Sequence, residues 1–267
     1  MAIAQKKSGL IATKLGNLQA VSIFLISALY AGLVLGSGVD RLAASRPEIA
    51  HRVPSLFASE ALLVRGAQAI VDGKTNSTIE FGMRALRDAP TDPQSAAMLG
   101  AGLLANGDQT KADRAFRVAG RLGWRVPITQ SYWLGKALSV SDYELAALRL
   151  DALLRQQPNL LSQRQLLDPL ERNPTGRAAL IRRMALKPEW LPVYASNVTS
   201  SPADVMLQRS EVLEEAARKG LVLGCDTIAP TVARLVELKL HDEAARLSRA
   251  HCPSKERTPV AAPTRGS

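Results

Sequence analysis

The chain has 267 residues, of which 46% are hydrophobic, so it is long enough for one or two domains with a proper core and is not a disordered tail protein. Its two cysteines exclude a disulfide-dense scaffold and a multi-thiolate zinc site. An aromatic content of 4% with abundant alanine and leucine favours an all-α fold, and a net charge of +10 points to an anionic partner.

An uncharged, strongly apolar stretch near the N-terminus runs from Leu15 to Val39. As a helix it would be roughly 37 Å long, which is enough to cross a hydrocarbon core of about 30 Å. We therefore predict a leader at 1–14, a transmembrane helix at 15–39 and a linker at 40–58. A cleaved signal peptide is the alternative, although no well-formed small-x-small cleavage site follows the apolar core.

The charges beside this segment bear on its orientation. Lysine and arginine are nearly balanced on the two sides, so the positive-inside rule does not decide. The short leader favours a cytoplasmic N-terminus, which places the rest of the chain outside the cytoplasm. Nucleic acid then becomes an unsuitable partner, and the expected anions are lipid headgroups or envelope polymers.

Small residues form a stripe inside the predicted transmembrane helix. Ala28, Gly32 and Gly36 are spaced at i, i+4 and i+8 and fall on one helix face. Such a stripe allows a second transmembrane helix to approach closely, giving a homo- or hetero-oligomer. The alternative is that the stripe contacts only lipid.

The region after the linker has an internal period of about 34 residues. Gly66, Gly100 and Gly135 recur at this spacing, and the unit at 93–126 carries six characteristic positions: Leu99, Gly100, Leu103, Ala112, Phe116 and Ala119. This pattern resembles the tetratricopeptide repeat family. The resemblance implies an α-solenoid in which the small residues let paired helices approach and the large ones fill the space beside them.

The neighbouring units follow the pattern less closely. The unit at 128–161 has Asp151 where a large apolar residue is expected, and the unit at 59–92 has Thr78 and Gly82 at two other positions. We predict repeats at 59–161, a degenerate helical-pair region at 162–252 and a disordered tail at 253–267. The whole outer region would hold about five helix pairs.

The resemblance also implies a binding face, because members of the family usually bind peptides or proteins along the first helix of each repeat. Carried over position by position, this face contains Gln94, Ala97, Ala101, Leu104, Thr129, Tyr132, Lys136 and Ser139. Tyr132 offers a ring for stacking and Lys136 a cation for an acidic group.

Two further features lie near the C-terminal end. In an oxidising compartment Cys225 and Cys252 would form a disulfide that closes a loop of about 27 residues, whereas the alternative is two separate thiols. A basic run contains Arg172, Arg177, Arg182, Arg183 and Lys187. It is either a surface for an anionic polymer or lipid, or an ordinary solvated helix face.

No residue pattern indicates catalysis, a metal site or a cofactor. The three histidines are scattered, and the chain has no nucleophile elbow, phosphate-binding loop or zinc-protease motif. Arginine outnumbers lysine and alanine is abundant, which is typical of a GC-rich bacterial gene.

These observations predict a non-enzymatic scaffold in the bacterial inner membrane, with one span and a periplasmic domain. It would bind a protein or peptide partner of the envelope. The segment Lys187–Leu191 resembles repeat proteins of polysaccharide gene clusters, which implies a role in surface polysaccharide assembly or export. The alternatives are an accessory subunit of a cell-wall or cytochrome-maturation complex that acts through its transmembrane helix, and a wall-active enzyme.

Overall fold

The computed structural model describes residues 2–196 and 201–252, with side chains from residue 21 onward. Every regular element in these ranges is helical, which confirms the all-α prediction. The predicted tail at 253–267 lies outside the described residues. The chain divides into two compact units, 1–123 and 124–267, and this division falls inside the predicted repeat region.

The first unit begins with α1, a single long helix at Ala2–Ser45. Two short 3-10 turns follow at Pro47–Arg52 and Ser55–Phe57. The remaining helices are α2 (Ser59–Val71), α3 (Thr75–Asp88), α4 (Pro93–Ala105) and α5 (Gln109–Leu122).

The segment at 40–58 is packed, contrary to the predicted linker. Helix α1 continues past Val39 to Ser45, and four small or branched residues of the segment lie in a buried apolar cluster with Ala61 and Leu62 of α2: Ala43, Ala50, Val53 and Ala58. Burial of these side chains removes the freedom that a linker needs. The chain therefore passes from α1 into the first unit without a flexible joint.

Glycines set the helix spacing in the first unit. A Cβ added at Gly82 of α3 would lie 2.7 Å from the backbone nitrogen of Leu99 on α4. At Gly100 it would lie 3.1 Å from the Phe116 ring of α5. Close approach therefore depends on glycine, as predicted for Gly100. Gly135 differs, because nothing lies within 4 Å of an added Cβ there.

The second unit contains the remaining helices around a larger core. They are α6 (Pro127–Ser139), α7 (Tyr143–Leu154), α8 (Arg164–Arg172), α9 (Pro174–Met184), α10 (Leu191–Ser196), α11 (Ala203–Arg218), α12 (Cys225–Glu237) and α13 (His241–His251), with a 3-10 turn at Pro158–Ser162. Leucines of α7, α8 and α9 pack with Trp190 and Tyr194 at its centre.

The 34-residue period is present in the backbone of the helix-to-helix turns. Gly73, Gly107 and Ser141 all have positive φ, at 69°, 79° and 55°. In each turn the next residue's amide donates to the carbonyl five residues earlier: Lys74 to Ala69, Asp108 to Leu103 and Asp142 to Ala137. This is the Schellman arrangement that ends a helix. The period is confirmed at these turns, and the solenoid arrangement stays a prediction.

Candidate functional site

Helix α1 carries a long apolar surface that no other part of the described chain covers. Its exposed large side chains between residues 21 and 35 include Val21, Ile23, Phe24, Leu25, Ile26, Leu29, Tyr30, Leu33, Val34 and Leu35. The stretch Val21–Ser45 is long and apolar enough to span a membrane, by length and composition. Exposed apolar surface on this scale is typical of contact with lipid or with another protein.

The small-residue stripe on α1 is only partly open. Ala28 and Gly32 are exposed, and nothing lies within 4 Å of a Cβ added at Gly32. Gly36 instead lies against the Phe57 ring of the same chain, 2.5 Å from an added Cβ. The predicted contact face for a second helix is therefore reduced to Ala28 and Gly32.

Asp40 joins α1 to α2 by a helix cap. Its side chain is buried and accepts hydrogen bonds from the backbone amides of Glu60, at 3.1 Å, and Ala61, at 2.9 Å. The N-cap position of α2 is Ala58, which has no side-chain acceptor, so Asp40 satisfies amides that would otherwise lack a partner. Burial, with smaller contributions from Asp40 and Asp92, raises the pKa of the Glu60 carboxyl beside this cap.

The predicted binding face in the first unit lies on α4. Gln94 and Leu104 are exposed and Ala101 is half-buried. Ala97 has no exposed surface, because its helix packs closely against α3. We therefore remove Ala97 from the proposed face and keep the other three.

The corresponding residues of the second unit lie on α6. Tyr132 and Lys136 are half-buried, and Ser139 is exposed with its hydroxyl donating to the Lys136 carbonyl at 2.7 Å. The Tyr132 ring stands edge-on to Trp133, with centroids 5.2 Å apart. Thr129 is fully buried and is also removed from the proposed face.

An open cleft in the first unit was not predicted from the sequence. It has a volume of about 510 Å³ and lies among the 47–52 turn, α2 and the start of α3. Its lining mixes apolar and charged groups: Pro47, Glu48, His51, Val64, Arg65, Gln68, Asp72, Lys74 and Phe81. Arg65 is fixed there because its guanidinium donates to the Ala50 carbonyl. A single sequence gives no signal for this cleft, since its walls come from separate segments.

A buried polar cluster holds together the helices of the second unit. The Tyr194 hydroxyl donates to Glu171 Oε1 at 2.6 Å, and Arg209 Nη2 lies 3.5 Å from the same oxygen. The Arg209 guanidinium also stacks over the Tyr194 ring, 4.4 Å from its centroid. Burial and the neighbouring Glu171 raise the pKa of Tyr194 well above its usual value, so the hydroxyl stays protonated as a donor.

Asp151, the residue that interrupts the repeat pattern, has a specific partner. Its Oδ1 accepts from the indole nitrogen of Trp190 at 2.8 Å and from Arg155 Nε at 3.0 Å. Trp190 is fully buried and therefore needs an acceptor for its N–H. The carboxylate at this position of the repeat therefore stabilises the fold by accepting the Trp190 N–H.

Three of the five residues in the basic run are paired with carboxylates of the second unit. Arg172 lies 3.4 Å from both Asp168 and Asp204, and Arg177 lies 3.4 Å from Glu211. Arg182 pairs with Glu144. An anionic polymer or lipid would have to compete with these pairs, which favours the solvated-face interpretation.

The two cysteines are brought together by α12 and α13. Their Cα atoms are 5.1 Å apart and their sulfur atoms are adjacent, a spacing within the range that disulfides adopt. His251 is buried beside them, with Nδ1 accepting from the Leu223 amide at 3.2 Å and Nε2 donating to the Leu213 carbonyl at 3.1 Å. Across the described ranges, no group of three or more histidine, cysteine or acidic side chains is placed to hold a metal ion.

In comparisons with known proteins, no family model matches the chain, and no curated protein is significantly similar to it. The class that the structure defines is an all-helical protein with one N-terminal helix able to span a membrane.

Proposed function

We propose that the protein is a membrane-anchored scaffold that holds a partner protein or peptide of the bacterial envelope against its helical hairpins. The observation that carries this proposal is the uncovered apolar surface of α1, which is joined to the first unit through Asp40. A helix fixed in this way positions the unit at a set distance from the membrane. The periplasmic orientation, the tetratricopeptide identity and a role in surface polysaccharide assembly belong to the same proposal.

In each unit, a separate partner-contact surface is supported by exposed or half-buried residues on the first helix of a hairpin. In the first unit these are Gln94, Ala101 and Leu104, and in the second Tyr132, Lys136 and Ser139. Peptide-binding helical repeats use such rows of side chains without catalytic groups. The proposal therefore assigns no enzymatic activity, and it requires no cofactor, metal or nucleic acid.

Site-specific photocrosslinking in intact cells tests each of these two surfaces. A photoreactive amino acid at Leu104 or Tyr132 is expected to give one discrete adduct. Matched controls are Val118 on α5, 44% exposed, and Leu148 on α7, 42% exposed, against 39% for Leu104. Equal adducts at test and control positions, or none at any position, would contradict the proposed face.

The accessory-subunit alternative is favoured by one observation, the open space beside Gly32 on α1. A Gly32→Leu variant fills that space, and a Cβ added at this position meets no other atom of the described chain within 4 Å. Loss of a membrane complex in this variant, with the Leu104 adduct intact, would assign partner binding to the transmembrane helix. Retention of the complex would leave the hairpin face as the binding surface.

A further inference from the structure

We propose that the turn at Ser55–Phe57 is a second membrane contact, which inserts into the lipid headgroup region beside α1 and seats the first unit on the bilayer. This inference rests on the proposed membrane anchor and deepens it. The proposed partner of the exposed apolar side chain at this turn is lipid.

The depth of the turn follows from its contact with α1. The Phe57 ring packs against Gly36, which lies within the stretch that is long and apolar enough to span a membrane. Gly36 is four residues before Asp40, so it lies about 6 Å from Asp40 along the helix axis, towards the apolar part of α1. Asp40 in turn caps α2, which fixes the first amides of that helix at the level of Asp40. After the end of α1 the chain therefore turns back along the helix, so that the Ser55–Phe57 turn lies at the depth of Gly36.

The residue beside Phe57 carries a large apolar surface. Leu56 is 87% exposed, the highest value among the exposed large apolar side chains of the described chain. No neighbouring segment covers it, although Phe57 joins the apolar cluster of the first unit. An apolar side chain held beside a membrane helix at this depth gains free energy when lipid replaces water around it.

Charge at this end of α1 complements a phosphate-bearing surface. Arg41, Arg46 and Arg52 are exposed, whereas Glu48 is the one exposed carboxylate between residues 41 and 57. Asp40 is occupied by the amides of α2. Arginine side chains at the ends of membrane helices extend to lipid phosphates while their stems lie against acyl chains.

Depth-dependent fluorescence quenching on the full chain tests the inference. A dansyl-bearing amino acid is placed at position 56, 34 or 71, and each protein is reconstituted in vesicles of phosphatidylcholine and phosphatidylglycerol that contain nitroxide-labelled lipid. Val34 on α1 reports on the anchor itself. Val71, 80% exposed at the far end of α2, is the matched control in the same unit.

We expect lipids labelled near the headgroup to quench position 56 several-fold more than position 71, and lipids labelled deep in the acyl chain to quench position 34 most strongly. If position 34 is quenched but quenching at position 56 equals that at position 71, the inference is overturned while the anchor stays in place. Absence of quenching at 34 would overturn the anchor and the inference together. A blue-shifted position 56 that nitroxide lipids do not quench would assign the turn to a second copy of the chain and would also overturn it.

Discussion

Three buried polar residues of the second unit have defined hydrogen-bonding roles. Asp151 accepts from Trp190, Glu171 accepts from Tyr194, and His251 bridges a carbonyl and an amide. Groups of this kind are costly to bury without partners, so each one specifies a particular helix arrangement. Their pairings explain why a carboxylate, an arginine and a histidine occur inside an otherwise apolar core.

His251 makes the stability of the second unit depend on pH. Burial lowers the pKa of His251 below its usual value of about 6.5, against a smaller opposite effect of the Leu213 carbonyl. Between the lowered pKa and about 6.5 the unfolded chain binds a proton that the folded chain does not. The free energy of unfolding should therefore rise with pH through this window, by at most about 1.4 kcal/mol per pH unit, and its contribution is complete above it.

Chemical denaturation across the same pH range measures this effect. A His251→Gln variant should lose the slope, whereas His241→Gln, at an exposed position, should retain it. A slope that survives in His251→Gln and disappears in His241→Gln would contradict the assignment.

The buried pair of Glu171 and Arg209 should be strongly coupled. The side chains are 0% and 3% exposed, so removal of either one leaves the other buried without its counter-charge. Arg209→Met or Glu171→Gln should each lower the free energy of unfolding by about 3 kcal/mol or more. The double variant should lose less than the sum of the two. A double-mutant cycle measures the coupling. The control is Lys219→Met, which removes an exposed pair with Glu215 that is worth about 1 kcal/mol or less. Simple additivity would contradict the coupling.

Helix ends show how far local sequence determines this fold. The turns at Gly73, Gly107 and Ser141 follow from the 34-residue period, because turn and cap residues act within a few positions of each other. Asp40 was not predicted as a cap, since it bonds amides about 20 residues away. The open cleft and the Glu171 cluster were missed for the same reason: their residues are separated along the chain. Asp151 was recognisable in the sequence as a departure from the repeat pattern, but the sequence did not identify Trp190 as its partner.

Ser141 occupies a turn position that glycine fills in the preceding hairpins. A non-glycine residue at φ 55° carries a steric cost, so Ser141→Gly should raise the free energy of unfolding by about 1 kcal/mol. The reciprocal Gly107→Ser should lower it by a similar amount. Thermal and chemical unfolding measure both changes. Destabilisation by Ser141→Gly would show that the serine side chain has a stabilising role at this turn.

The link between α12 and α13 should be sensitive to reduction. We propose that Cys225 and Cys252 are bonded, which closes a loop of about 27 residues and contributes about 3 kcal/mol to stability. Reductant should lower the free energy of unfolding by that amount in the native chain, and have no effect on a Cys225→Ser/Cys252→Ser variant. Titration of the denatured, unreduced protein should find no thiol. Two titratable thiols under oxidising conditions would contradict the bond.

Across the whole molecule, the hydrophobic residues and the basic residues each occur in several distinct places. Part of the 46% hydrophobic content is the uncovered surface of α1, and the rest fills the cores of the two units. Three arginines of the basic run in the second unit are paired with carboxylates. Exposed arginines lie both near the C-terminal end of α1 and along α5, where they are Arg114, Arg117 and Arg121. The +10 net charge is therefore spread over the surfaces of both units as well as the end of α1.

The membrane association of the full chain tests the scaffold proposal most directly. Membranes from cells expressing the chain are extracted with alkaline carbonate, and the native chain is compared with Ile26→Arg, which places a charge at an exposed apolar position of α1. A charge within the span is expected to cost about 3 kcal/mol of insertion free energy. The account predicts that the native chain stays in the membrane pellet and that the variant shifts towards the supernatant. A native chain recovered in the supernatant would contradict it.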